Sequence, residues 1–187
     1  MKWNDHSRLS GTHSFLSASQ SSWLRYTDES LIDHFRAAKA AQEGTELHAI
    51  AAKLISKGIK LPHNGQNLSN YVNDAIGYKM SPEVVLYYSD VAYGTADAIS
   101  FRRNLLRIHD LKTGKTPVHM DQLKIYASYF CLEYSVKPAD IHIELRIYQN
   151  GEIQIEKPEH EEIEGIIAKI VHFDKLLLKE KNKEEDY

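Results

Sequence analysis

Between Pro82 and Lys112 the chain runs EVVLYYSDVAY, GTADAISF and LLRIHDLK. The three runs are rich in β-branched and aromatic residues and are separated only by short breaks. They read as three antiparallel-capable strands. Whatever the rest of the chain does, it has to complete and cover a sheet that contains them.

The flanking periodicity is helical. TDESLIDHFRAAKAAQEGTELHAIAAKLISKG has helical composition, and Thr27 with Glu29 and Ser30 can open a helix. Gly44 then marks a break or a close packing before Leu47, Ile50, Ala51, Leu54 and Ile55, which recur at helical spacing. Residues 1–18 read as irregular, with Ser17 or Ser19 as a candidate N-cap before SSWLRY. IKLPHNGQ is a loop, and NLSNYVNDAIGYK a further helix. After the strands, MDQLKIYASYFCLEY returns to helix, and ADIHIELRIYQNGEIQIEK alternates around Asn150-Gly151, a hairpin signal. EEIEGIIAKIVHFDKLLLKEK is an amphipathic helix over about 160–180, followed by a charged tail expected to be disordered. The expected fold is one α/β domain over 1–187, with a mixed sheet flanked by helices and a core over about 14–156.

Composition narrows the class. Hydrophobic residues make up 42% and charged residues 26%, as in ordinary globular proteins. No apolar run is long enough to span a membrane, and MKWNDHSRLS lacks the apolar stretch of a secretory signal. One cysteine, Cys131, excludes an internal disulfide framework and a four-cysteine zinc or iron–sulfur site within one chain. A reducing, cytoplasmic compartment is expected. The net charge of −3 argues against a basic nucleic-acid coat. Yet Arg102, Arg103, Arg107, Lys112, Lys115 and Lys124 fall in one stretch that could bind phosphates.

The chemistry concentrates in IHDLKTGKT. Asp110 and Lys112 are two apart at a strand end, so their side chains share a face. Asp97, in the preceding strand, would lie across from Asp110 in a meander. Two carboxylates so placed repel, and a hard cation such as Mg²⁺ or Mn²⁺ relieves the repulsion. The backbone carbonyl of Leu111 could add a ligand, and Lys112 could serve the attacking water or the phosphate charge. Gln122 and Tyr126 sit one helical turn apart on the next helix. His48 sits in an earlier helix, four residues after Gly44, and Glu46 beside it is a possible ligand. His109 should face away as a structural residue, and His119 lies near the site in sequence.

EGTELHAIA, GTADAI, IHDLKTGK and DQLKIYASYF, in that order, resemble the RecB-like branch of the PD-(D/E)XK nuclease superfamily. LSASQSSWLRY is similar to the first helix of that branch, and the resemblance covers roughly residues 14–135. It implies a restriction-endonuclease-like core of order αβββαβ and a Mg²⁺- or Mn²⁺-dependent DNA nuclease leaving 5′-phosphate and 3′-hydroxyl ends. It implies metal ligation by His48, Asp97 and Asp110, and catalysis by Asp97, Asp110 and Lys112. Gln122 and Tyr126 would bind DNA and position the lysine, with Lys115 as a further DNA contact. The expected setting is an exonuclease of phage or mobile-element recombination, acting on DNA ends or single strands in a bacterial or phage-infected cell. A homo-oligomer or a recombination partner protein would fit this setting, and no membrane association is expected. Two other readings stand beside it. One is a DNA-binding subunit of the same fold without turnover. The other is a nuclease subunit of a larger complex, docked through Ile163, Ile166, Ile167, Ile170, Leu176 and Leu177, a face that could equally pack on the chain's own sheet.

Some relatives place a cysteine shortly after the Trp-Leu of the first helix and three more near the C-terminus, to hold an iron–sulfur cluster. This chain reads SWLRYTDE there. The purified protein is therefore expected to be colourless, and a brown protein with stoichiometric iron would overturn that expectation.

Overall fold

The computed structural model describes residues 15–16, 21–114 and 118–185. The chain divides into two compact units, Met1–Glu43 and Gly44–Tyr187. The first holds a short 3-10 turn, Ser21–Arg25, and the opening of helix α1, Asp28–Lys57. Thr27 caps that helix: its Oγ1 accepts from the Ser30 amide at 3.3 Å and its carbonyl from the Leu31 amide at 2.8 Å. Ser17 and Ser19, the candidate caps before SSWLRY, lie outside the described residues.

The second unit is an α/β structure built on a five-stranded mixed sheet flanked by helices. Its elements after α1 are α2 (Asn67–Gly77), β1 (Ser81–Ser89), β2 (Ala92–Arg102), β3 (Leu105–Leu111), α3 (Asp121–Glu133), β4 (His142–Gln149), β5 (Glu152–Glu156) and α4 (His160–Glu185). The strands lie in sequence order. β1, β2 and β3 form the expected antiparallel meander, β4 runs parallel to β3, and β5 returns antiparallel. A parallel pair needs a crossover, and α3 supplies it.

Several boundaries differ from the sequence reading. α1 does not break at Gly44. The glycine instead permits close packing, since a Cβ there would meet the Thr113 Oγ1 at 2.8 Å. The β1–β2 turn falls at Asp90-Val91, so Ala92 and Tyr93 belong to the second strand, not the first. The β2–β3 turn uses Arg103 and Asn104, both left-handed at φ 50° and 58°. Asn150-Gly151 makes the expected hairpin, with φ 52° and 82°. α4 runs to Glu185, past the expected end near residue 180.

Two apolar clusters cover the two faces of the sheet. Leu106 and Ile108 of β3 and Ile143, Leu145 and Ile147 of β4 pack with Leu123, Ala127 and Phe130 of α3 and Ile163 of α4. The alternate positions Leu111 and Tyr148 pack with Ala51 and Ile55 of α1 and with Tyr71, Val72 and Ala75 of α2. β3 and β4 are thus buried on both faces, as parallel neighbours usually are. α4 divides along its length. Ile163 is fully buried and Ile167 packs on the core, whereas Leu176 and Leu177 are 52% and 54% exposed. Between them, buried Asp174 accepts a hydrogen bond from the Ser89 hydroxyl and ties α4 to the end of β1. No helix among the described residues is long and apolar enough to cross a membrane.

The α1–α2 face of β3 and β4 also carries polar side chains. The Tyr148 hydroxyl donates to the Asp74 Oδ2 at 2.7 Å and lies 3.1 Å from the His109 Nδ1. Since the hydroxyl has one proton, His109 must donate from Nδ1. That imidazole is wholly buried, and burial, with Arg146 and Arg107 nearby, pushes its pKa down to about 3. It is neutral and structural, as its alternation away from Asp110 predicts. Arg146 reaches Asp74 at 3.2 Å and Glu144 at 3.0 Å, so the charges there are paired. Tyr148→Phe is expected to strand the His109 donor and cost roughly 1–3 kcal/mol in a denaturant titration.

Candidate metal centre

The β2–β3 register pairs Ala98 with His109. That is the last paired rung of the ladder, and the next residues along the two strands are Asp97 and Asp110. The Leu111 amide donates to the Asp97 Oδ2 at 3.1 Å and fixes that carboxylate. Asp110 is 1% exposed. Its burial, then the charge of Asp97, pushes its pKa up to about 6 despite Lys112 and His48 nearby.

His48 arrives from α1, four residues beyond the close-packed Gly44, and its Nδ1 lies 3.2 Å from the Asp97 Oδ2. The Asp97 carboxylate raises the imidazole pKa above its ordinary value, against the opposing effect of burial. Lys112 continues the β3 line past Leu111. Its Nζ lies 2.9 Å from Oδ2 and 3.1 Å from Oδ1 of Asp110. The same ammonium donates to the Gln122 Oε1 at 2.8 Å, and the Gln122 Nε2 donates to the Tyr126 hydroxyl at 3.1 Å. Tyr126 in turn rests on Gly94, where a Cβ would meet its ring carbon Cε1 at 2.8 Å. A chain of contacts therefore runs from the β1–β2 hairpin through α3 to the lysine.

The structure thus sets His48 on Asp97, and beside them Asp110, Lys112, Gln122 and Tyr126 in a chain of contacts, the Asp110 oxygens not being among the ligand atoms grouped at Asp97. Other candidates stand differently. Leu111 brings its N–H, at Asp97, into the site. Glu46 is exposed, as is His119, and neither belongs to the group of ligand atoms at Asp97. Lys115 lies outside the described residues. The basic stretch does not form one patch. Arg102 and Arg103 sit at the β2–β3 turn, about 17 Å or more along the strand from Asp97. Arg107 pairs with Glu144, and Lys124 with Glu156 and Glu162. Cys131 is buried in the α3-side core, where its thiol pKa is pushed up to about 11.

One residue escaped the sequence reading. Glu83 on β1 lies between Pro82 and Val84, which pair with Ala98 and Ala96, so it is level with Asp97. Ligand atoms of Glu83, His48 and Asp97 lie within 4.8 Å of one another. A correctly placed β1–β2 turn would have given this register from sequence; the turn at Asp90-Val91, in place of one after Tyr93, brings Glu83 into line.

The donor set suits a hard divalent cation: carboxylates from adjacent strands, with an imidazole beside them. The hydrogen-bond geometry supports the fit. The ammonium of Lys112 is aligned for a hydrogen bond to Oδ1 of Asp110, while buried Oδ2, although close to it, has no aligned donor. A buried carboxylate oxygen left in this state has an open coordination position. Compared with known proteins, the chain matches no family model and no curated sequence.

The shifted groups set a pH dependence for the metal-free protein. Asp110 has a folded pKa near 6 against 3.8 unfolded. Its contribution is therefore complete below the unfolded value and lost as pH rises through about 6, a change of roughly 3 kcal/mol. The raised His48 acts in the same sense, giving stability below 6.5 that is lost as pH passes its folded pKa. The metal-free protein should unfold at a higher temperature in mild acid than at neutral pH, and Asp110→Asn should flatten that difference. A melting series over pH on both proteins checks it.

Proposed function

We propose that the chain is a divalent-cation-dependent nuclease that hydrolyses phosphodiester bonds in DNA, with a PD-(D/E)XK-type core of the RecB-like branch. The observation that carries this reading is the Lys112 ammonium. It is held between a buried carboxylate, Asp110, and the Gln122 amide oxygen, beside Asp97 and His48. An ordinary surface ion pair does not bury its acid to 1% exposure or recruit a second acceptor from a separate helix.

In this reading His48, Asp97 and Asp110 hold the cation. Mg²⁺ or Mn²⁺, when bound, would supply Lewis-acid neutralisation of the phosphate charge. The residues supply position. Gln122 and Asp110 fix the Lys112 ammonium, which can orient the attacking water or stabilise charge on the phosphate in the transition state. Tyr126 holds Gln122 in that pose, and Gly94 leaves room for the Tyr126 ring. Asp97 fixes the turn into Lys112 through the Leu111 amide. The biological setting proposed is exonucleolytic processing of DNA ends in phage or mobile-element recombination.

A second reading draws support from α4. Phe173, Leu176 and Leu177 are each about half exposed on its C-terminal part, a face that would suit a nuclease subunit within a larger complex. Mass in solution with and without candidate recombination proteins bears on it.

Cleavage of end-labelled linear and closed circular DNA with Mg²⁺, Mn²⁺ or Ca²⁺ tests the activity. Lys112→Ala is expected to lower turnover by a factor of about 10² or more while leaving folding and Mn²⁺ binding intact. Near-wild-type cleavage by that variant would remove the nuclease reading. A lysine that served only as a surface partner would cost under about 1 kcal/mol of stability and no activity.

A further inference from the structure

The β1–β2 hairpin carries an aromatic surface that the site described above does not use. Val84 and Leu86 of β1 and Ala96 of β2 pack toward α3, and Gly94 faces the Tyr126 ring. Their neighbours alternate to the opposite face, where Val85 pairs with Thr95 and Tyr87 with Tyr93. α1 and α2 cover that face elsewhere in the sheet, but of β1 and β2 only Ala98 joins their cluster. Val85, Tyr87 and Tyr93 are left 55%, 46% and 60% exposed. The two tyrosine rings lie side by side, with centroids 6.3 Å apart and planes 28° apart. Apolar side chains grouped in the open in this way mark a binding surface.

The rings are braced against α3. The Tyr87 hydroxyl donates to the Asp90 Oδ1 at 2.8 Å, and the Tyr87 amide donates to the Glu133 Oε2 of α3 at 2.8 Å. Next to Tyr93, Gly94 rests on Tyr126, which Gln122 joins to Lys112. The helix that positions the ammonium therefore also seats the strand that carries Tyr93. Tyr93 is four residues from Asp97 on β2, at most about 13 Å along the strand, and exposed Thr95 lies between them.

The chemistry of the surface selects its occupant. No lysine or arginine occurs between Ser81 and Phe101, and the charged residues of the hairpin outside Asp97 are Glu83 and Asp90. A phosphate gains nothing there. A nucleobase is neutral and offers a π-face, so it can stack on the rings while its phosphate stays in solvent. A protein partner is poorly served, because three exposed side chains fall far short of the roughly 800 Å² per partner that a stable interface buries. Inside a duplex both faces of a base are taken by its neighbours, so the base that stacks here is unpaired.

We propose that Tyr87 and Tyr93 form a stacking subsite for an unpaired nucleobase of the strand that is cleaved at Asp97, Asp110 and Lys112. The substrate class of the site is then single-stranded DNA or a single-stranded end. The inference rests on the nuclease reading above and deepens it. Leucine at both positions keeps the surface apolar but removes the π-faces, and Tyr93→Trp enlarges one of them.

The test compares wild type, the double variant Tyr87→Leu with Tyr93→Leu, and Tyr93→Trp as full chains. Binding of a single-stranded oligonucleotide and of a blunt duplex is read by anisotropy in Ca²⁺, and cleavage of both in Mn²⁺. The double variant is expected to bind the single strand about tenfold or more weakly, with an unchanged melting temperature and unchanged duplex binding. Tyr93→Trp should bind the single strand at least as tightly as wild type. Moving one abasic position along the strand should weaken wild type at a particular place and leave the double variant indifferent to it. If the double variant binds the single strand like wild type, or the abasic series costs both proteins the same, the subsite is overturned while wild-type cleavage keeps the nuclease reading. If the double variant instead turns a dimer into a monomer by mass in solution, the face joins two copies of the chain and the assignment is overturned. If wild type neither binds nor cleaves DNA with any of the cations, the nuclease reading and this inference fall together.

Discussion

Everything at this site depends on keeping the Asp110 carboxylate out of water. At 1% exposure and beside Asp97, it would be driven strongly toward its neutral form if nothing compensated it. Three partners limit the penalty. Lys112 supplies a positive charge at 2.9 Å, His48 is drawn toward its charged form by Asp97, and the Leu111 N–H takes part of the Asp97 charge. The compensation remains incomplete, since the Asp110 pKa still lies near 6. The surrounding fold must therefore hold the carboxylates together against their own repulsion, and its rigidity is a requirement of that arrangement.

That rigidity comes from β3. It pairs with β2 on one side and β4 on the other, and both its faces are covered. Leu106 and Ile108 anchor it beneath α3, and Leu111 beneath α1 and α2. The Lys112 amide donates to the Tyr148 carbonyl at 3.0 Å, so the strand's pairing continues one residue past its formal end. Asp110 cannot swing into solvent without breaking that ladder. The crossover makes a second contribution. The helix that must link two parallel strands begins at Asp121, immediately before Gln122, and so delivers the amide that holds Lys112. Topology and site share one element.

The sequence made the main features of this arrangement legible, because they follow period-2 alternation and short connections. The meander, the Asn150-Gly151 hairpin and the Asp110–Lys112 pairing are all local in this sense. Gly44 was ambiguous for a physical reason: a glycine in a helical pattern can end the helix or admit a neighbour. Only the approach of Thr113, remote in sequence, decides for the second. The β1–β2 turn was hidden because Asp90-Val91 lacks the Asn-Gly or Asp-Gly signature of a tight hairpin. Misplacing it shifted the register, and with the register went Glu83. The basic stretch misled in the opposite direction. Proximity along the chain suggested one patch, but strand alternation and the length of β2 dispersed it, leaving Lys112 at the carboxylates.

The dispersal bears on how a polyanion could approach. Among the described residues, the cationic groups in contact with Asp97 and Asp110 are Lys112 and, when protonated, His48. Arg107 and Lys124 are neutralised by their own partners. With Glu83 near Asp97, the site therefore carries excess negative charge in a partly desolvated setting, where Coulomb terms are larger than in water. A phosphodiester meets net repulsion there unless cationic charge is held at the site first. On the nuclease reading, cation binding then precedes productive DNA binding, and DNA affinity depends on divalent cation even when chemistry is blocked. Lys112 cannot substitute for that charge. Its ammonium is already divided between Asp110 and the Gln122 amide, so it offsets the charge of one carboxylate, Asp110.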